Sequence, residues 1–485
     1  MSPAPVKHAS AAADGLDRGG PGAAGVDAGA VEAFLDDVEA AGLELHSLML
    51  HRHGRVVAEG WRWPYGPARL RVMHSYAKSV TACAIGLAIA EGHFGLSDKV
   101  VSFFPDKLPA VVSDNLAAMT VEDLLTMRTG HDGETGGPTW RGIKTSWITE
   151  FFKIPVVHQP GTTYVYTSAA SYMLGAILAK TTRQTLHEYL KPRLFEPLGF
   201  EGETWDIGPD GFNPGGNGLT CRVSDALKVG ILHAQNGLWQ GRQLIPASWI
   251  AQATQTHAGG RYGYHWVTNW GGAYCALGMF VQMVMVFPAQ GATLALTGAI
   301  DGSQLVMPFL EKHFPRTFHT GPLHNDAADA RLQARLATWR DVPALASAAV
   351  DTARHSDKPY RVADNPLGVR DLRFDFTADR CVFHLTDSDG THTVTAGLGA
   401  WIEGHTDMPG RDLHHGYHLR GATVVASAVW KDASTLEMTW IFAETAFRDT
   451  VLCRFNGSQV TLERRVNVNS AARAHPPLLG TLATA

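Results

Sequence analysis

Ser75 and Lys78 stand three residues apart in "MHSYAKSVTACAIGLAIAEG". On a helix this spacing puts both side chains on one face, one turn apart. A serine hydroxyl is a poor nucleophile at neutral pH and needs a base beside it. A lysine serves as that base only when its ammonium form is disfavoured, and burial and the positive end of a helix dipole both do that. The residues that follow are almost all apolar, as in a central buried helix, and a hydrated lysine would be out of place there. The other reading of the same spacing is a solvated lysine that happens to follow a serine. A second set, "PGTTYVYTSAASYMLGAIL", places Tyr166 two residues before Ser168, just ahead of another apolar helix. A phenol beside a serine and a lysine can pass a proton to a leaving group; a core tyrosine is its alternative.

The elements that must carry these groups show in the periodicity. Residues 28–42 read as an amphipathic helix stopped by Gly42, and residues 43–63 as two strands around a turn at Gly54. Residues 75–91 read as a helix ending at Gly92. In "MTVEDLLTMRTG", Thr120 and Asp123 have capping-box spacing. Residues 261–299 switch to strand period, and "SQLVMPFLEKHF" returns to helix. Helix, strands and helix again predict a layered α/β domain.

We therefore expect a flexible segment over 1–27, a catalytic domain over 28–335, a linker over 336–367, an antiparallel β domain over 368–470 and a tail over 471–485. In the β domain, Leu372, Phe374 and Phe376 alternate with charged residues, as do Leu436, Met438, Trp440 and Phe442 with more polar neighbours. Short strands with turns roughly every ten residues predict a barrel or a sandwich.

Composition narrows the function. The 485 residues are 45% hydrophobic and 18% charged, with a net charge of −5. No basic run suggests nucleic acid, and no run of about 18 or more apolar residues suggests a membrane span. The N-terminus has no apolar core behind a basic stretch, so it is not read as a secretory signal. Cys83, Cys221, Cys275, Cys381 and Cys453 lack metal or redox spacing. They fit a reduced, cytoplasmic compartment. "HRHG" at 51–54 reads as a hairpin turn. His414, His415 and His418 are close in sequence, but strand alternation would send the first two to opposite faces, and no metal is expected. His131 and His265 are candidates to approach the pocket, or satisfied structural groups. There is no G-x-S-x-G elbow and no phosphate-binding glycine loop.

Taken in order, S-Y-A-K at 75–78, "MTVEDLLTMRTG", "PGTTYVYTS" and "GLTCRVSDALKVGILHAQNGLWQGRQLIPASWI", with the strand pair near 262–288, resemble the serine β-lactamase and penicillin-binding-protein superfamily. The branch is that of class C-like esterases and amidases, near the 6-aminohexanoate-dimer hydrolases, and the resemblance covers about residues 30–320. It implies a β-lactamase/transpeptidase-like fold and an acyl-enzyme on Ser75, with Lys78 as base and Tyr166 as proton shuttle. The Ser75 N–H would be one oxyanion donor. The family's K-T-G is absent. Alignment with Ala276-Leu277-Gly278 makes Met279 N–H the second donor; the alternative is Trp270-Gly271-Gly272. Either lacks a cation, which favours neutral or apolar acyl substrates over β-lactams. Ser168 replaces the family's usual asparagine.

Ser168, Asn217, Trp270, Tyr274, Gly278 and Phe280 are the expected substrate-binding residues, with the loop "NPGGNG" at 213–218 bordering the pocket. The expected activity is hydrolysis of a small ester or amide, with short peptides and β-lactams also in view. No cofactor is needed. Acyl transfer to an alcohol or amine, and a binder that stays acylated, are the alternatives. The β domain is a candidate cap or homodimer contact.

Overall fold

The computed structural model describes residues 14–257, 260–419 and 421–483. They form two compact units. The larger runs up to Arg62 and resumes over Pro67–Trp339; the smaller comprises the chain from Arg340 onward together with Trp63–Gly66.

The larger unit is built on a seven-stranded sheet. Its strands are β1 (Asp17–Arg18), β2 (Glu44–Arg52), β3 (Arg55–Trp61), β4 (Val267–Trp270), β5 (Ala273–Gly278), β6 (Gln282–Phe287) and β7 (Ala292–Ala299), in the order β1-β3-β2-β7-β6-β5-β4. β1 runs parallel to β3, and the other neighbours are antiparallel.

Alternation divides the strand residues between two cores, because successive side chains leave a strand on opposite faces. Leu48, Leu50, Met283, Met285, Leu294 and Leu296 pack with α1 (Ala28–Ala40), α5 (Met307–Thr317) and α6 (Asp326–Thr338). Met49, Val284, Val286 and Ala295 face the other core. That core holds α2 (Ala77–Ala90), α3 (Ser168–Thr182) and α4 (Val223–Ala234). Asp27 caps α1 through bonds from Gly29 and Ala30 N–H, and Thr120 and Asp123 form the expected capping box.

The smaller unit carries β8 (Tyr360–Val362), β9 (Asp371–Phe376), β10 (Arg380–Thr386), β11 (Thr391–Leu398), β12 (Ile402–Thr406), β13 (Ala422–Trp430), β14 (Thr435–Phe442), β15 (Arg448–Asn456), β16 (Gln459–Val466) and β17 (Leu478–Leu482). Neighbours run β11-β10-β9-β8-β17-β16-β15-β14-β13, and β13 returns to β11 in parallel register at Gly397↔Ser427. The ring is thus a closed nine-stranded barrel, which removes the open edge a sandwich would leave; β12 pairs with β13 outside it. Phe374, Phe383, Trp440 and Phe455 fill it with buried rings. Trp63 packs among Val425, Ile441 and Ala443 and meets the Trp401 ring at 4.8 Å.

Several elements differ from the sequence reading. Residues 1–13 lie outside the described residues, but 14–27 are built into the fold rather than loose, since β1 pairs with β3 and Val26 is buried. The linker stretch contains β8, and the tail contains β17, which pairs with both β8 and β16. These strands are short and pair with each other across the length of the domain, at Tyr360↔Leu482, so local periodicity does not announce them. His414 and His415 lie in a turn, not a strand. His414 pairs with buried Asp449 at 2.9 Å, and His415 with the Ser470 hydroxyl. All five cysteines are free and buried. Among the described residues no helix is long and apolar enough to cross a membrane.

Candidate active site

Ser75 lies in a 3-10 turn, His74–Tyr76, that feeds directly into α2. In such a turn side chains at i and i+3 eclipse. Lys78 Nζ accordingly stands 3.0 Å from Ser75 Oγ. The amine is held from two further sides, by Ser168 Oγ at 3.2 Å and by the Gly216 carbonyl at 2.9 Å. It lies 4.9 Å above the Tyr166 ring, and the Ser75 side chain is near enough to the Tyr166 phenol to lower its pKa. Ser75, Lys78, Tyr166 and Ser168 are therefore one cluster.

Lys78 is buried. Burial lowers its pKa to about 7; Glu134 opposes that shift and Arg141 adds to it. Burial likewise drives the Tyr166 phenol well above its ordinary range, and the nearby Ser75 side chain only partly offsets this. At neutral pH the site thus holds a substantially neutral amine and a fully protonated phenol. Glu134 lies in the loop before the short helix Gly137–Arg141, which Arg141 ends, and neither carries a motif that marks it in the sequence. Thr135 brings that loop to the site: its carbonyl accepts from Ala169 N–H and from the Thr167 hydroxyl.

The sequence suggested that the glycines of 213–218 let the backbone approach a ligand; in the structure they bring it against the amine and α3. A Cβ on Gly215 would fall 2.3 Å from the Ser171 carbonyl, and one on Gly216 would stand 3.2 Å from Lys78 Nζ. Only a backbone without side chains passes here. Asn217 shares a small recess with Ser168, bounded by Trp140, Arg141, Trp147 and Tyr172.

The edge of β5 approaches the nucleophile from the other side. A Cβ on Gly278 would stand 2.2 Å from the Met73 carbonyl, so glycine is what lets the strand end close on the 74–76 turn. Met279 follows and is exposed. Phe280 and Val281 then adopt left-handed φ of 59° and 65°, and His74 faces them at 50°. Non-glycine residues rarely adopt such angles, and a β-branched one least of all. The buried Phe280 ring meets His74 edge-on at 5.5 Å, which braces both turns.

Three expected substrate contacts are placed elsewhere. Phe280 is a core ring against His74. Tyr274 is buried against Trp266 at 5.3 Å. Trp270 pairs with Ala273 at the hairpin end of β5, with Arg261 over its ring at 4.7 Å. Gly278 is five residues further on, about 17 Å at ~3.4 Å per residue, so Trp270 does not reach Ser75. Gly271 and Gly272 serve the hairpin turn, with φ of 60° and 89°. His131 is buried beside Phe151 and bonded to the Thr129 hydroxyl. His265 lies behind Lys78.

Several known proteins are similar to this chain in sequence or fold. The chain is 23% identical to the N-acetylmuramyl-L-alanine amidase of Bacillus subtilis over 231 residues, 42% of this chain and 52% of that protein. It is 23% identical to the 6-aminohexanoate-dimer hydrolase of Paenarthrobacter ureafaciens over 220 residues, 42% of this chain and 55% of that one. The chain thus spans about half the length of these curated relatives. The structure of the octameric penicillin-binding protein homologue from Pyrococcus abyssi has the same fold at a TM-score of 0.50 and 15% identity, over 93% of this chain and 100% of that one. The Beta-lactamase family pattern matches residues 30–304, a span that begins in α1, includes Ser75, Lys78 and Tyr166 and takes in all of β7. With more than half of its 485 residues inside that match, the chain belongs to the beta-lactamase family.

Proposed function

We propose that this chain is a serine hydrolase that opens a small ester or amide through an acyl-enzyme on Ser75. One observation carries the reading: a buried amine held near pKa 7 sits 3.0 Å from the serine hydroxyl, with the ring of a phenol 4.9 Å from that amine. Neutral Lys78 accepts the Ser75 proton as Oγ bonds to the carbonyl carbon. The charge that develops on the carbonyl oxygen faces the Ser75 and Met279 N–H groups. As the bond to the leaving group breaks, the proton held by Lys78 passes through the Tyr166 phenol to the departing oxygen or nitrogen. Water then enters by the reverse route and releases the acid.

Ala276 occupies the position aligned with the family's lysine and is buried. A site without that cation favours a neutral acyl group over one that carries a carboxylate. The names of the two relatives, an amidase and a dimer hydrolase, support linear amides as the first substrates to try. The test is a panel of p-nitrophenyl esters, anilides, short peptides and β-lactams, with Ser75→Ala as control and an added amine to read acyl transfer. Steady turnover that vanishes in Ser75→Ala is the expected result. Full activity in that variant rejects the mechanism, and a burst without turnover replaces the hydrolase with an acyl-binding protein.

A further inference from the structure

We infer that His265 is a positioning residue for Lys78: it ties together, behind the amine, the helix that carries Lys78 and the helix that carries Ser168. The inference rests on the Ser75–Lys78 reading above. His265 is buried. Its backbone has a φ of 60°, which L side chains rarely adopt. Its N–H donates to the Gly263 carbonyl at 3.0 Å and to the Leu125 carbonyl at 3.3 Å. Its carbonyl accepts from the hydroxyl of Ser79, the neighbour of Lys78, at 2.6 Å. Its Nε2 pairs with Ser171 Oγ at 2.9 Å, one turn along α3 from Ser168.

Ser171 in turn packs against the glycine that holds the amine. A Cβ on Gly216 would meet the Ser171 Cβ at 3.3 Å and Lys78 Nζ at 3.2 Å. The ring also meets Tyr262 at 6.2 Å, and Tyr262 meets Tyr166 edge-on at 6.2 Å. One side chain thus stands behind three members of the site.

The imidazole suits this place by staying neutral. Its Nδ1 is buried with no partner among the described residues, so a second proton would add a donor with nothing to bond. Burial first, and then the nearby Lys78, push its pKa to about 3. The titratable groups around this corner are Lys78, Tyr166 and Tyr262, with Glu134 and Arg141 acting on Lys78. On the helix Val121–Leu125, Glu122 accepts from the Tyr264 hydroxyl and Asp123 caps Thr120.

The test uses the full chain with His265→Gln, His265→Asn and Ser171→Ala. The glutamine amide nitrogen reaches the place of Nε2, so it keeps the bond to Ser171. Asparagine tolerates the left-handed backbone but stops short of that bond. Expected are losses of about tenfold or more in kcat for the asparagine and Ser171→Ala variants, on the scale that misplacing a reacting group produces. Their KM should stay within about twofold, with a displaced acid limb of the pH–rate profile. The glutamine variant should recover at least about a third of wild-type kcat. Wild-type kcat and an unmoved limb in a folded asparagine variant would reduce His265 to core packing and overturn the inference. If that variant does not fold, an unaltered Ser171→Ala overturns it equally. Fluorophosphonate labelling of Ser75 separates the two readings. An unlabelled wild type ends both, whereas a labelled wild type with unaltered variants ends this one alone.

Discussion

Gly278 faces the Met73 carbonyl with no room for a side chain: a Cβ there would stand 2.2 Å from that oxygen. The obstacle is backbone, so it does not swing aside. The contact joins the end of β5, next to Met279, to the turn that carries Ser75. Gly278→Ala should therefore separate the Ser75 and Met279 N–H groups that we propose as oxyanion donors. We expect kcat to fall by about 100-fold or more, with a stability loss of about 1–3 kcal/mol. Steady-state kinetics and urea denaturation on the same variant check both.

Lys78 as base makes activity rise with pH. Its pKa near 7 places the acid limb of kcat/KM there, with a plateau above. The Tyr166 phenol is pushed upward, so no alkaline fall from that group is expected below about pH 10. Lys78→Arg keeps a charge that does not titrate. It should lose about 100- to 10,000-fold, and the limb near 7 should disappear from what remains.

The same shift bears on stability. The folded pKa lies below the ordinary lysine value of about 10.5, so between about 7 and 10.5 the unfolded chain binds the extra proton. The contribution of Lys78 to stability is then fully unfavourable below 7 and is relieved as pH rises toward 10.5. Lys78→Met should gain on the wild type at pH 6, by at most about 3–5 kcal/mol, and the gap should narrow toward pH 10. Urea midpoints at the two pH values measure it. A gap that widens with pH contradicts a neutral buried lysine.

Tyr166→Phe removes the proton donor and leaves the ring beneath Lys78. Amides need protonation of their leaving nitrogen far more than p-nitrophenyl esters need it at oxygen. We expect about 100-fold or more loss on an anilide and less than about tenfold on the ester. Equal losses on both would make Tyr166 a packing residue of Ser75.

Phe280→Ala discriminates a pocket wall from a core ring. The ring is buried against His74 at 5.5 Å, so truncation should cost about 3–5 kcal/mol of stability, with kcat falling more than KM rises as the 279–281 turn relaxes. A selective change in KM for bulky acyl groups, at unchanged stability, would restore it to the pocket.

Some of this was open to reading from residues alone. The meeting of Ser75 and Lys78 follows from backbone geometry over three residues. The capping box at Thr120 and Asp123, the glycine-bordered loop at 213–218 and the alternation in the β domain are equally local. Phe280 and Tyr274 misled because an apolar ring in a substrate wall and one in a core have the same composition. Trp270 misled because its distance from Ser75 depends on strand register. Glu134, Arg141 and His265 act on Lys78 from 56, 63 and 187 residues away in the chain, and no spacing rule connects them.

By itself, then, the sequence determined the chemistry on offer, a hydroxyl and an amine at the start of one apolar helix and a phenol just ahead of another, because short-range geometry and hydrophobic periodicity are properties of neighbouring residues. The tertiary structure alone decided that the amine's pKa falls to about 7, that Gly278 closes on Met73, and that β17 and β13 complete the barrel. Those outcomes come from desolvation and steric contact between segments far apart in the chain, and neither exists until the chain has folded.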